Sequence, residues 1–351
     1  MTSPMPAPRP APMPHGGPDG GPPIRFDFST NANPYGPPPV LWSAVKHADR
    51  QRYPDPSYGR LRERLADLHG VSPAQIEPTA GGAEAIRRLT LAAQLHGLTE
   101  VWVPQPGFGD YAAAAQALGL PVRRYDSIER LLPEGRALVW VCDPCNPSGT
   151  ALTRDEWHGV AQAVARTGSL LAVDEAYDAL RLDGHAQMPP VLAGIAWRLQ
   201  CPNKALGLTG IRAAYLVAPR RPAYPRITHA VSQLAPSWVL SAEGLAMLMH
   251  WHEAPTRAHL DACRAHLRQD RQTLRAALQS LSWYQHRTLT PFWLACPPPS
   301  TEVPQMLAML REHGIKLRDA TSFGLPGWVR VAAQRTDALE ALLAALKGRA
   351  S

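Results

Sequence analysis

A lysine and an arginine stand eight residues apart in Cys201-Pro-Asn-Lys-Ala-Leu-Gly-Leu-Thr-Gly-Ile-Arg-Ala-Ala-Tyr215, with a Gly-rich apolar turn between them. That spacing lets an amine and a guanidinium converge on one small anionic ligand. A primary amine held in a pocket condenses with a carbonyl to form a Schiff base, and a guanidinium offers paired N–H donors to a phosphate. Lys204 is therefore a candidate covalent nucleophile and Arg212 a candidate phosphate clamp. A solvated lysine and a surface arginine beside a loop would leave the same window, so the reading depends on whether complementary groups occur elsewhere.

The cofactor that needs this pair is pyridoxal 5'-phosphate (PLP), and its chemistry requires more parts. An acid must keep the pyridinium nitrogen protonated, donors must meet the phenolate oxygen, a ring must cover the cofactor's face, and donors must hold its phosphate. Asp174 ends the apolar run Leu170-Leu-Ala-Val-Asp-Glu-Ala-Tyr177, where a carboxylate is costly unless it meets a cation. A helix-capping role would also suit it. Asn146, in Asn-Pro-Ser-Gly-Thr150, and Tyr177 supply an amide and a phenol for the phenolate oxygen. Phe108 offers a ring for stacking, and Gly81-Gly82-Ala83 opens an apolar helix whose first N–H groups suit a phosphate.

The elements that must position these groups alternate. Glu100–Val103, Ala137–Cys142 and Ser169–Val173 read as short apolar strands, with helices over 111–118 and 154–166 between them. This pattern predicts an α/β fold with a mainly parallel central sheet sandwiched by helices, and Phe108, Asn146 and Asp174 all follow strand ends. Earlier, Leu61, Leu65 and Leu68 share one helical face, and Phe26–Pro37 is turn-rich. Beyond Ser237 a long helix over 259–281, strands at 292–296 and 328–332, and helices over 304–313 and 337–347 predict a smaller α+β domain.

Composition narrows the class. No apolar run approaches the ~20 residues of a membrane span, and nothing resembles a signal peptide, so a cytoplasmic protein is expected. The formal charge of +7 is spread among interleaved acids, which argues for an anionic small ligand over nucleic acid. Five scattered cysteines do not form a disulfide framework. Cys142-Asp-Pro-Cys145 lacks the further ligands of a zinc site, so no metal is expected. The Pro/Gly-rich stretch 1–23 is expected to be a disordered arm, because it cannot bury enough apolar surface to fold.

In chain order, Gly-Gly-Ala-Glu, Pro-Gly-Phe-Gly-Asp-Tyr, Asn-Pro-Ser-Gly-Thr, Asp-Glu-Ala-Tyr and Asn-Lys-Ala-x-Gly-Leu-x-Gly-x-Arg resemble the fold-type I PLP aminotransferases of class I/II. The likeness is greatest to the histidinol-phosphate aminotransferase group and its relative, L-threonine-O-3-phosphate decarboxylase of cobalamin synthesis, and runs from about Phe26 to the C-terminal helix. It implies that Lys204 carries the cofactor and shuttles a proton, and that Asp174, Asn146 and Tyr177 serve the ring. Gly82, Ala83 and Arg212 would hold the phosphate. Tyr53 would reach the cofactor of a second subunit, making a homodimer with shared sites. Arg330, Arg318 and Asn33 would meet the substrate.

Cys201 and Asn203 depart from the family, which commonly has hydroxyl residues there, and a thiol donates only weakly to phosphate. The implied domains are a segment 24–50 that joins the small domain and the active-site loop, a PLP-binding domain 51–235 and a small domain 236–351. Transfer of an amino group between a small-molecule amino donor and a 2-oxo acid is the expected activity. Threonine-phosphate decarboxylation and a non-catalytic PLP-binding regulator are the alternatives, and the second lacks room for a helix-turn-helix.

Overall fold

Ala137–Cys142 is buried at all six positions and Leu170–Asp174 at all five, the pattern of strands covered on both faces. They pair in parallel, with Cys142 opposite Asp174, at the centre of a seven-stranded sheet. The computed structural model describes residues 14–222 and 224–348.

Along the chain, β1 (Phe26–Asp27) leads to α1 (Pro39–Lys46), α2 (Gly59–His69) and β2 (Ile76–Thr79). Next come α3 (Gly82–Leu95), β3 (Glu100–Pro104), α4 (Gly109–Ala117), β4 (Val122–Tyr125), β5 (Ala137–Cys142), α5 (Arg154–Thr167) and β6 (Leu170–Asp174). The short α6 (Pro190–Ala193) precedes β7 (Trp197–Gln200), β8 (Ala214–Val217), α7 (Pro225–Gln233) and α8 (Ala242–His250). The long α9 (Ala254–Ser280) leads into β9 (Tyr284–Gln285), β10 (Phe292–Cys296), α10 (Val303–Glu312), β11 (Ile315–Lys316), β12 (Arg318–Asp319), β13 (Val329–Ala332) and α11 (Thr336–Lys347).

The large sheet runs β2-β8-β7-β6-β5-β3-β4. Strands β4, β3, β5, β6 and β7 are mutually parallel, whereas β8 is antiparallel to both its neighbours. Helices follow the strands for local reasons. Helix α5 opens with a capping box between Thr153 and Glu156 and stops at Gly168, whose φ of 64° is the left-handed conformation that closes a helix. Trp157 on α5 and Trp140 on β5 are fully buried on opposite sides of the sheet, each in its own apolar cluster.

The second region is the antiparallel sheet β12-β13-β10-β9 with α9, α10 and α11 against it. Its core contains Trp293, Leu274, Leu310 and Leu342, and also Phe28 from the N-terminal end of the chain. Strand β1 joins by pairing in parallel with β11, Phe26 opposite Ile315. Helix α9 begins five residues earlier than its apolar stripe suggests, because Pro255 sits in the first turn, where its missing N–H costs nothing.

One difference from the sequence reading bears on the site. Residues 1–13 lie outside the described residues, but Pro14–Pro23, expected as part of a disordered arm, follow a defined path along the second region. Gly17 N–H donates to Ser29 Oγ at 2.9 Å, and Asp19 accepts from Lys316 Nζ at 2.7 Å and Arg311 Nη2 at 2.9 Å. Specific polar pairing replaces the apolar burial that this segment lacks.

Candidate active site

A cavity of about 360 Å³ opens between the C-terminal ends of the central strands and the second region. Lys204 reaches it from the turn after β7, its Nζ 5.1 Å from the centroid of the Tyr177 ring. The turn is held from behind: Asn33 N–H donates to Lys204 O at 2.8 Å, and Asn33 Nδ2 to Ala205 O at 3.0 Å. Burial opposes the charge on Lys204. Its acidic neighbours, the Asp174 carboxylate among them, favour it, and the balance raises its proton affinity.

Asp174 enters the same cavity at the end of β6 and is 5% exposed. Burial pushes its carboxyl up, against the stabilising hydrogen bonds that it accepts from Tyr111 OH at 2.6 Å and Ala176 N–H at 2.9 Å. A buried carboxylate with raised proton affinity is the group that a pyridinium would neutralise. Asn146 lines the cavity with its Oδ1 turned to Arg330 Nη1, which leaves its amide N–H groups as donors. Asn31 Nδ2 donates to Tyr177 OH at 3.3 Å, so the phenol proton is likewise free for a ligand oxygen. Phe108 covers one side of the cavity from the N-cap of α4.

The phosphate cradle is built from backbone. Helix α3 has no side-chain cap, and Gly82 and Ala83 in its first turn line the cavity beside Cys201 and Arg212. A Cβ at Gly81 would come 2.5 Å from Arg212 Nη2, and one at Gly82 would come 2.8 Å from Cys201 Sγ. Side chains at either glycine would occupy the space between the helix end and its two partners. Free N–H groups, a helix dipole and a guanidinium suit a phosphate dianion. Burial pushes the Cys201 thiol up to about 12, so it is neutral and a weak donor. Asn203 also lines the cavity, its buried Oδ1 without a protein partner.

On the opposite wall Arg318 and Arg330 are cross-strand partners on β12 and β13, each 5% exposed. Both lie over the Phe323 ring, with guanidinium carbons at 4.8 and 5.8 Å from its centroid. Arg330 Nη2 donates to Ser29 O, its Nε has no protein partner, and burial lowers its pKa to about 10. Arg318 donates to Ser322 Oγ and to Pro14 O, both at 2.6 Å.

Of the other expected residues, Tyr53 was read as reaching a second subunit's cofactor and Asn33 as meeting the substrate. Tyr53 is 78% exposed and stacks on Trp238 with centroids 4.3 Å apart, outside this chain's own cavity. Asn33 fixes the backbone of the lysine turn and does not line the cavity, whereas Asn31 does. Sequence reasoning passed over Asn31, although it lies in the same Asn-Ala-Asn-Pro run. It also passed over His15, at the cavity mouth 6.0 Å from the Phe108 ring, because the composition of its segment pointed to disorder. Tyr111 was legible only as a helix residue.

Residues 23–346 match the family model for aminotransferase class I and II. The chain belongs to the class I and II aminotransferases. Its relatives include the histidinol-phosphate aminotransferase of Natronomonas pharaonis, 30% identical over 86% of this chain and 85% of the relative. That of Symbiobacterium thermophilum is 30% identical over 90% and 89%. The fold is shared with L-threonine-O-3-phosphate decarboxylase from Porphyromonas gingivalis, with a TM-score of 0.79 and 22% identity, covering 92% of this chain and 98% of that one. It is also shared with histidinol-phosphate aminotransferase from Sinorhizobium meliloti, solved with pyridoxal-5'-phosphate, with a TM-score of 0.75, 22% identity and coverage of 93% and 90%. This aminotransferase is a PLP-dependent enzyme of fold type I, and the cradle, the buried acid and the cavity lysine fit that cofactor. No helix of the described residues is long and apolar enough to cross a membrane, and no group of three or more metal-ligating side chains comes together among them.

Proposed function

We propose that this aminotransferase moves an amino group between a phosphorylated amine of the histidinol-phosphate kind and a 2-oxo acid, with Lys204 as its covalent and proton-transferring residue. The observation that carries the reading is the convergence of Lys204, Asp174 and the α3 cradle on one cavity whose far wall is Arg318 and Arg330. The relatives' activity on histidinol phosphate supports the choice of substrate.

PLP, when bound, supplies an electron-accepting ring that makes a substrate's Cα–H acidic. The chain's residues do the rest. Asp174 holds the proton on the ring nitrogen, and Asn146 and Tyr177 donate to the ring's phenolate oxygen. Gly82 and Ala83 N–H groups and Arg212 bind the phosphate, and Phe108 excludes water from one face. Lys204 Nζ removes the Cα proton, and Arg330 fixes the substrate's anionic group so that the Cα–H bond points at that amine. Tyr53 and Trp238 form an exposed aromatic pair suited to a second copy of the chain, and a homodimer in which Tyr53 reaches the partner's phosphate follows from the family likeness.

A second reading is favoured by Arg318 standing directly opposite Arg330. Two guanidiniums so close suit a short substrate bearing both carboxylate and phosphate, as in decarboxylation of threonine phosphate, although a dicarboxylic oxo acid would satisfy them too. Incubating the PLP-loaded enzyme with histidinol phosphate plus 2-oxoglutarate, and separately with L-threonine phosphate, distinguishes the two. Glutamate release supports transamination, and carbon dioxide release without glutamate supports decarboxylation. Lys204→Ala should abolish either reaction; multiple turnovers by that variant would refute the role given to Lys204.

A further inference from the structure

Asp174 is the group that must stay ionised in an apolar surrounding, and what keeps it so is only partly explained by the cavity lining. One of its oxygens accepts from the backbone at Ala176; the other accepts from Tyr111 OH at 2.6 Å. Tyr111 does not line the cavity and is fully buried. Its ring stacks on Trp140, with centroids 4.9 Å apart and planes 13° from parallel, and meets Phe108 edge-on at 5.7 Å and 83°. Trp140 is itself fully buried on β5, the strand beside Asp174's own. A ring gripped on a face and an edge has no freedom to swing its hydroxyl away, so the donor is fixed before any ligand arrives.

We infer that Tyr111 is a positioning residue for the cofactor: its hydroxyl orients the Asp174 carboxylate and keeps it ionised, and its ring sets the place of Phe108, so that the acid behind the pyridine ring and the aromatic cover in front are registered by one side chain. The electrostatics agree in sign. Burial favours the neutral acid, and the hydrogen bond from Tyr111 opposes it. The phenol itself, pushed far up by burial and by the nearby Asp174 charge, stays a donor throughout the working pH range. Placing an uncharged donor there avoids pairing Asp174 with a second cation, which would compete with the pyridinium.

The inference rests on the PLP reading of the site. PLP is titrated into the cofactor-free wild type, Tyr111→Phe, Asp174→Asn and the double variant, with tryptophan fluorescence as the readout, from about pH 5 to about pH 9. Tyr111→Phe keeps the ring contacts and removes one oxygen. It should bind PLP about tenfold more weakly at neutral pH, and the pH below which affinity is lost should rise by about one unit. In the Asp174→Asn background the same change should alter affinity by less than about twofold, since the two residues act through one carboxylate. Unchanged affinity with an unmoved acid limb, or losses that add in the double variant, would overturn the inference while leaving the PLP reading intact. A wild type that fails to take up PLP would remove both.

Discussion

Arg318 and Arg330 face each other across β12 and β13, both nearly excluded from solvent and both resting on the ring of Phe323. Like charges placed directly opposite repel, and neither has a carboxylate partner among the ion pairs of the described residues. A substrate anion placed between them, as proposed above, would resolve this repulsion. Succinate, a doubly anionic mimic, should therefore raise the Tm of the PLP-loaded wild type by several degrees at saturating concentration. Arg330→Gln should abolish the shift and lower kcat/KM by about 100-fold, the loss of a charge-assisted pair. Arg318→Gln should reduce the shift without abolishing it. Thermal shift with and without succinate, beside steady-state kinetics, checks both.

The cradle at α3 predicts opposite outcomes for two single-atom changes. Gly81 has φ of 96°, and a Cβ there would meet the Arg212 guanidinium, so Gly81→Ala should weaken PLP binding by about tenfold or more and lower stability by about 1 kcal/mol. Cys201→Ser replaces a weak donor with a good one in the same buried place and should tighten PLP binding by about threefold to tenfold. Equilibrium titration of PLP into the cofactor-free variants reads both changes.

The segment from Pro14 to Asp19 reaches the cavity mouth beside Arg318 and is held by a small set of polar ties. Lys316→Met removes the donor to Gly17 O and one partner of Asp19, whose carboxyl the Lys316 hydrogen bond holds below its ordinary range. The segment should then become a protease target, and KM should rise a few-fold with little change in Tm, because these ties are mostly exposed. Limited proteolysis followed by mass measurement, together with KM, tests this.

His69 and His252 give the fold a pH dependence. Burial holds His69 near 4 and His252 near 3, against 6.5 for the free side chain. The unfolded chain therefore takes up protons below about pH 6.5 that the fold refuses. The contribution of neutral His69 is complete above that pH and is lost as pH falls from 6.5 towards 4. His69→Gln can still bond to Tyr215 OH, so between pH 7 and pH 4 it should lose on the order of 3 kcal/mol less stability than the wild type. Denaturant melts at several pH values give the difference directly, and parallel curves would count against it.

Much of the central sheet was legible because β5 and β6 are continuous apolar runs that stop at or just before an aspartate, and β3 holds the short run Val-Trp-Val. Other strands were hidden for separate reasons. Strand β2 reads Ile-Glu-Pro-Thr, and a strand carrying Pro78 is tolerated at the sheet edge it occupies. Strand β4, Val-Arg-Arg-Tyr, is the other edge, with solvent allowing its two arginines. Strand β8 begins inside the stretch read as chemistry, although Ala214–Val217 is fully buried. At the site, groups that touch the cavity from strand ends could be found from their spacing. Tyr111 and Arg318 could not be placed so directly, because their value comes from pairing with Asp174 and Arg330, which are far away in sequence and adjacent only once the sheets form.

The pairing of β1 with β11 ties the first described strand to one made almost at the end of synthesis. The large sheet can assemble as the chain emerges, but Phe28 has no core to enter until β10 and β13 exist. The wall that carries Arg318 and Arg330 therefore needs both ends of the described chain in place, whereas the large sheet draws on its middle. The same tie brings Pro14, the first described residue, to the cavity mouth, where its carbonyl oxygen accepts from Arg318 Nη2. A bulky side chain introduced at His15 or Gly16, which line the cavity with Arg318, would crowd that mouth.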